Sequence, residues 1–138
     1  MNEIEQIRNI LKEVGFKVIS DNTSIYENLI FSEDDSGKLK IPISIMLFPK
    51  DDTNDMTTSY IQFYFEYSVL DDNLKHKNIS NLIHEKNTKV PYGCFNILND
   101  KIYFKYIMIC NNKIVDKAIL YDIINTFIYV IENLTNDA

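Results

Sequence analysis

The sequence predicts a two-layer α+β domain, an antiparallel sheet with helices packed mainly on one face, in the order αβββαββα. Three observations carry this. Isoleucine and leucine recur at helical spacing at both ends of the chain, runs rich in β-branched and aromatic residues fill the middle, and the connections between those runs are short. Short connections join antiparallel neighbours, because a parallel crossover needs about a dozen residues or more. With 138 residues, 46% of them hydrophobic, and only 3 Gly and 3 Pro, the chain is expected to bury one core as a single domain.

Ile4, Ile7, Ile10, Leu11 and Val14 share one helical face, so a helix is expected over 3–14, stopped by Gly15. Strands are expected at Ile25–Phe31, Leu39–Phe48 and Ser59–Tyr67, separated by polar turn segments. In the second of these, Pro42 removes a backbone donor, which predicts an edge strand or a bulge. In the third, Ile61, Phe63, Phe65 and Tyr67 belong under the helices, while Tyr60, Gln62, Tyr64 and Glu66 face the other way and are partly wet. Asp71 or Asp72 can cap a second helix running to about Glu85, with Leu74, Ile79, Leu82 and Ile83 as its apolar residues. A hairpin follows, Cys94–Leu98 and Lys101–Cys110, turning at Asn99 and Asp100. Asp116 then caps a terminal helix.

That terminal helix, 117–134, is unusually apolar. Asp122, Asn125, Tyr129, Glu132 and Asn133 form a narrow polar stripe, and isoleucine, leucine, valine and phenylalanine cover almost everything else. A helix resting on one sheet needs an apolar arc of only ~100° or a little more. Each large apolar side chain left in water forgoes roughly 1.5–3 kcal/mol. Something must therefore cover the surplus: helix one, a second copy of the chain, or a partner protein. Leu120, Ile124, Ile128 and Ile131 are the residues that would meet a second copy or a partner.

A second candidate surface is the tyrosine set. Tyr60 and Tyr64 share one strand face, and Tyr103, Lys105 and Ile107 share another. If those strands are neighbours with these faces aligned, they make an aromatic platform of the kind enriched at protein interfaces. Ordinary cross-strand tyrosine pairing is the plainer account.

Other chemistries leave no trace in the sequence. A net charge of −6 disfavours nucleic acid, whose phosphates demand a concentrated basic face. Lys75, Lys77, Lys86 and Lys89 read as a solvated helix face that would suit an acidic protein segment better than DNA. His76 and His84 would lie about 12 Å apart along one helix, too far to share a zinc ion. The acidic loops, Glu33-Asp34-Asp35 and Asp51-Asp52 with Asp55, lack the ligand spacing of a calcium loop. No glycine-rich phosphate loop or G-x-S-x-G motif occurs. The expectation is a non-enzymatic protein with no cofactor and no metal. If Asn99 and Asp100 turn the last hairpin, Cys94 faces Lys105 and lies roughly 17 Å from Cys110, so no disulfide is expected. The chain shows no secretory leader and no apolar run of ~18 residues, so a cytoplasmic protein without membrane segments is expected.

Val90-Pro91-Tyr92-Gly93-Cys94-Phe95, then Ile102-Tyr103-Phe104-Lys105-Tyr106 and the closing helix, resemble the C-terminal half of the YbjN-like family of small bacterial regulators. That family shares the type III secretion chaperone-like fold. The residue-level pattern covers about 90–131, and the similarity in element order covers nearly the whole chain. The resemblance implies a small, acidic, dimeric protein that holds a partner or effector segment, with no catalytic residues to carry over. The expected function is a protein-binding module, chaperone-like or regulatory. The alternative is a small-molecule-sensing regulator with its pocket between sheet and helices.

Overall fold

A computed structural model describes residues 2–21, 28–32, 43–47, 58–68, 79–99 and 101–135. Helix α1, Glu3–Glu13, begins where Asn2 Oδ1 accepts the Glu5 N–H at 2.8 Å. It ends where Gly15 takes φ +96°, which lets Phe16 N–H reach the Leu11 carbonyl at 3.1 Å and Gly15 N–H reach that of Lys12 at 3.1 Å. This double closure satisfies two carbonyls that the helix itself leaves unpaired. Ile4, Ile7, Ile10 and Leu11 are buried, as their spacing predicts.

Strand β1, Lys17–Asp21, follows at once and is one strand more than the sequence predicts. Only Val18 and Ile19 mark it locally; it exists by pairing with β2, Asn28–Ser32, with Ile19 opposite Ile30. The remaining strands are β3, Ile43–Leu47; β4, Thr58–Ser68; β5, Cys94–Leu98; and β6, Lys101–Asn111. Helix α2 spans Ile79–Asn87 and α3 spans Lys117–Leu134. The order among the described residues is thus αββββαββα. All pairs are antiparallel in one six-stranded sheet, β1-β2-β3-β4-β6-β5.

This order corrects the edge half of the edge-or-bulge expectation for the strand that contains Pro42. Over Ile43–Leu47, β3 is paired on both sides, so its described part is interior rather than an edge. Pro42 and the remainder of that predicted strand lie outside the described residues, as do the proposed caps Asp71 and Asp72.

One sheet face carries the core. Ile43, Ile45, Ile61, Phe63, Phe65, Phe95, Ile102, Phe104, Met108 and Cys110 are buried together with Leu120, Ile123, Ile124, Phe127, Val130, Ile131 and Leu134 of α3 and with the apolar face of α1. Phe127 is the wedge: its ring centroid lies 4.9 Å from Phe104, 5.9 Å from Phe65 and 6.1 Å from Phe63. The tilted and edge-on geometries are those that aromatic quadrupoles favour. Asp116 caps α3 as expected, accepting from Ala118 N–H at 2.9 Å and Ile119 N–H at 3.1 Å.

Polar side chains tie the periphery to this core. Gln6 donates to the Lys113 carbonyl at 2.6 Å and accepts the Val115 N–H at 3.0 Å, fixing the β6–α3 connection to α1. Asn87 does the same at the sheet edge. It accepts the Phe95 N–H at 2.6 Å and donates to the Phe95 carbonyl at 3.4 Å, so a side-chain amide takes the place of a further strand. Lys86 is not the solvated cation that its sequence context predicts. It is 3% exposed, donates to the Leu134 carbonyl at the end of α3, and lies 5.7 Å over the Phe95 ring. A cation at a helix C-terminus meets the unpaired carbonyls there.

The Pro91–Phe95 segment, singled out from sequence, proves to be a clamp. The Tyr92 hydroxyl lies 2.8 Å from the Asp122 carbonyl, 3.0 Å from the Asp122 carboxylate and 2.7 Å from Thr126 Oγ1. With one proton to give, it donates to Asp122 and accepts from Thr126. Burial, aided by the Asp122 carboxylate, pushes its phenol up to about 12. At Gly93, φ is +85° and a Cβ would sit 2.5 Å from Phe104 Cζ. Glycine is therefore required there both by the backbone and by the ring.

Two outcomes follow for stability. Gly93→Ala combines a left-handed backbone with overpacking and should cost about 3 kcal/mol or more. Gly15→Ala, where a Cβ meets nothing within 4 Å, should cost only about 1–2 kcal/mol; urea unfolding of both variants checks the ranking. For Tyr92, the folded phenol keeps its proton at a pH where the unfolded one, titrating near 10, has lost it. Its contribution is complete below pH ~10 and is lost as pH rises towards 12. Denaturant unfolding across that window should show a steeper decline for the wild type than for Tyr92→Phe.

Candidate functional site

The other face of the sheet is open. Its residues come from alternate positions of β4, β5 and β6, and the register aligns them in rows. Tyr60 pairs with Ile109, Gln62 with Ile107, Tyr64 with Lys105 and Glu66 with Tyr103; on the far side of β6, Cys94 faces Lys105 and Asn96 faces Tyr103. The two strands carrying the tyrosine set are thus neighbours, and their faces are aligned. Tyr60, Ile107, Ile109 and Leu98 are exposed, Ile109 and Leu98 to 60% and 58%. Among the described residues, no helix lies over this face, because α1 and α3 both pack on the opposite one.

A shallow depression of about 260 Å³ sits in the platform, lined by Gln62 and Tyr64 of β4, Tyr103 and Lys105 of β6, and Asn96 and Leu98 of β5. Its rim is charged. Glu66 Oε1 lies 3.4 Å from Lys101 Nζ, and a hydrogen bond to Glu66 raises the Tyr103 phenol above its ordinary value. Lys105 makes no ion pair among the described residues. The depression therefore combines one available cation, two phenols, two carboxamides and one leucine. These groups can hold a side chain or a short stretch of backbone by hydrogen bonds and apolar contact.

The predicted site residues thus divide. Tyr60, Tyr64, Tyr103 and Lys105 come together on one surface. Leu120, Ile124 and Ile131, expected at a helix interface, are instead buried in the chain's own core, and Ile128 packs partly against it. The physical reason is that the core shared with the sheet and α1 takes up most of the apolar arc of α3, leaving Ile119, Tyr121 and Tyr129 as its exposed large apolar side chains. Three residues that line the depression carry no site signal in the sequence: Asn96, Leu98 and Gln62. The first two lie on a strand of five residues, β5, too short for its alternation to declare a face, and Gln62 reads as an ordinary wet strand residue.

The space between sheet and helices, where a ligand pocket is the alternative expectation, is filled among the described residues by Phe63, Phe65, Phe95, Phe104 and Phe127. No cluster of three or more potential metal ligands occurs among the described residues. No described helix is long and apolar enough to cross a membrane. Both cysteines are free. Cys94 lies on the open face, and Cys110 is buried, its thiol pushed up to about 11 by desolvation and by the nearby Glu3 carboxylate. No protein-family model matches the chain, and no curated protein matches it.

The two thiols should therefore separate cleanly. Under native conditions near neutral pH, a thiol reagent should modify Cys94 alone, and Cys110 should react only on unfolding. Peptide mapping after timed alkylation reads this directly.

Proposed function

We propose that this chain is a non-enzymatic protein-binding module, chaperone-like or regulatory, that holds a segment of a partner polypeptide on the open face of its sheet. One observation carries the reading: an aligned aromatic and aliphatic platform, built from β4, β5 and β6, stands exposed while the opposite face is packed. Tyrosine and exposed isoleucine beside a few polar groups are what interface cores select. The depression, at about 260 Å³, falls below the ~300–1,000 Å³ of pockets that enclose a drug-sized ligand. It suits one part of a larger partner.

The binding mode is on the face rather than at the β5 edge. Augmentation by an added strand needs free backbone donors and acceptors, and Asn87 already occupies those of Phe95. The likeness of the 90–131 pattern to YbjN-like and secretion-chaperone-like proteins supports the same reading, since the chaperone members hold extended partner segments.

Tyr64→Asp and Ile109→Asp lie outside the core and are expected to cost about 1–2 kcal/mol through lost strand propensity and cross-strand pairing, leaving the fold intact. Affinity capture with quantitative mass spectrometry from the source organism should recover a stoichiometric protein with the wild type. Both sheet-face variants should lose it, while Tyr129→Asp on the exposed stripe of α3 should retain it. Retention by the sheet-face variants, or loss with Tyr129→Asp alone, overturns the reading. Light scattering of the same variants tests self-association. A wild-type dimer that Ile109→Asp converts to a monomer makes a second copy the occupant of the face.

A further inference from the structure

The open face differs in charge from the chain that carries it. Across β4, β5 and β6 its ionisable carboxylates and ammonium groups are Lys101, Lys105 and Glu66, a net positive strip on a protein of net charge −6. Lys101 and Glu66 compensate each other at 3.4 Å. Lys105 is left as the cation of the depression, paired in register with Tyr64 on one side and Cys94 on the other, and exposed. Its ammonium group stands beside groups that donate hydrogen bonds without bringing negative charge, the Tyr64 phenol and the Gln62 and Asn96 carboxamides, while the Tyr103 phenol is engaged with Glu66. Such a set is complementary to a carboxylate, which accepts several hydrogen bonds at once and gains most from a cationic donor. A carboxamide would lose the charge-assisted part of that interaction, and an ammonium would be repelled.

Resting on the docking role proposed above, we infer that the depression recognises an acidic residue of the partner, and that the occupant of the face is an extended acidic segment with one carboxylate seated on Lys105. Apolar residues on either side of that carboxylate meet Leu98 and Ile107, whose exposed side chains flank it on the same face. Nucleic acid also offers anions and stacking surface. It needs several cations to neutralise successive phosphates, and this strip offers one that is not already paired.

The test uses the whole chain and four fluorescein-labelled probes: peptides alternating Asp with Val, Asn with Val, and Lys with Val, and an oligouridylate. Anisotropy should show saturable binding of the Asp peptide, weakening by about tenfold or more when Asn replaces Asp and weakening further as salt is raised. Lys105→Glu should abolish the preference and Lys105→Arg should keep it. Lys113→Glu, an exposed charge on the β6–α3 connection, should bind like the wild type. Alkylation of Cys94 supplies an independent footprint, since a segment seated on Lys105 shields the thiol opposite it. Equal affinity for the Asp and Asn peptides with Cys94 still shielded overturns the acidic recognition and leaves the docking face standing. Tighter binding of the oligouridylate, or an unchanged preference in Lys105→Glu, also overturns it. Absence of binding by every probe overturns it too, and the capture experiment with Tyr64→Asp then decides separately whether the face docks protein.

Discussion

Phe127 seated against Phe63, Phe65 and Phe104 is the contact on which the other arrangements depend. The wedge fixes α3 over β4 and β6, the two longest strands among the described residues, and so sets which sheet face is dry. Phe95 joins the cluster through Phe104 at 4.9 Å, which brings the short strand β5 into the same packing. The clamp of Tyr92 on Asp122 and Thr126 and the close approach of Gly93 to Phe104 hold the entry to β5 where Phe95 points inward. Burying that many aromatic rings stabilises the domain strongly, each by roughly 1.5–3 kcal/mol against exposure. Among the described residues, the same packing places these rings between the sheet and α3.

Because both well-packed helices lie on one side, the residues alternating with the core side chains are turned outward as a group. Tyr60, Tyr64, Tyr103, Lys105, Ile107 and Ile109 are exposed or half-exposed as the direct geometric consequence of Ile61, Phe63, Phe65, Phe104 and Met108 being buried. An exposed sheet carries a hazard of uncontrolled pairing at its edges. At β5 this is met by Asn87, whose amide mimics the backbone of a further strand, and by α2 lying alongside. Lys86, one residue earlier, closes the carbonyl end of α3 from the same helix. A helix that looks unremarkable in sequence thus locks one sheet edge and the end of the longest helix, while contributing little to the open face.

Much of this is legible in the sequence. Asp116, Gly15 and the alternation of β4 each state a local rule, a cap, a left-handed stop or a two-residue period, and each acts as that rule requires. The tyrosine set was likewise recoverable, because placing Asn99 at the hairpin turn fixes Cys94 opposite Lys105 and hence one face of β6. Harder to read were β1, which exists through its partner β2, and Lys86, whose burial reflects a carbonyl 48 residues away. The excess apolar surface of α3 was plain in sequence, but its cover was not. Helical periodicity says that Leu120, Ile124 and Ile131 must be shielded and is silent on what shields them.

The sequence by itself determined the elements other than β1, the antiparallel pairing of neighbours, the inward set of each long strand and the absence of an obvious catalytic motif. All of these follow from near neighbours along the chain, through dihedral preference, capping and the two periods of 3.6 and 2. Only the tertiary structure decided that α3 spends its apolar arc on the chain's own core and that the exposed surface is the back of the sheet. It likewise decided that Gln62, Asn96 and Leu98 complete a depression around Lys105. Those outcomes depend on which surfaces meet across long sequence separations, where the free energy belongs to the assembled pair and not to either segment alone.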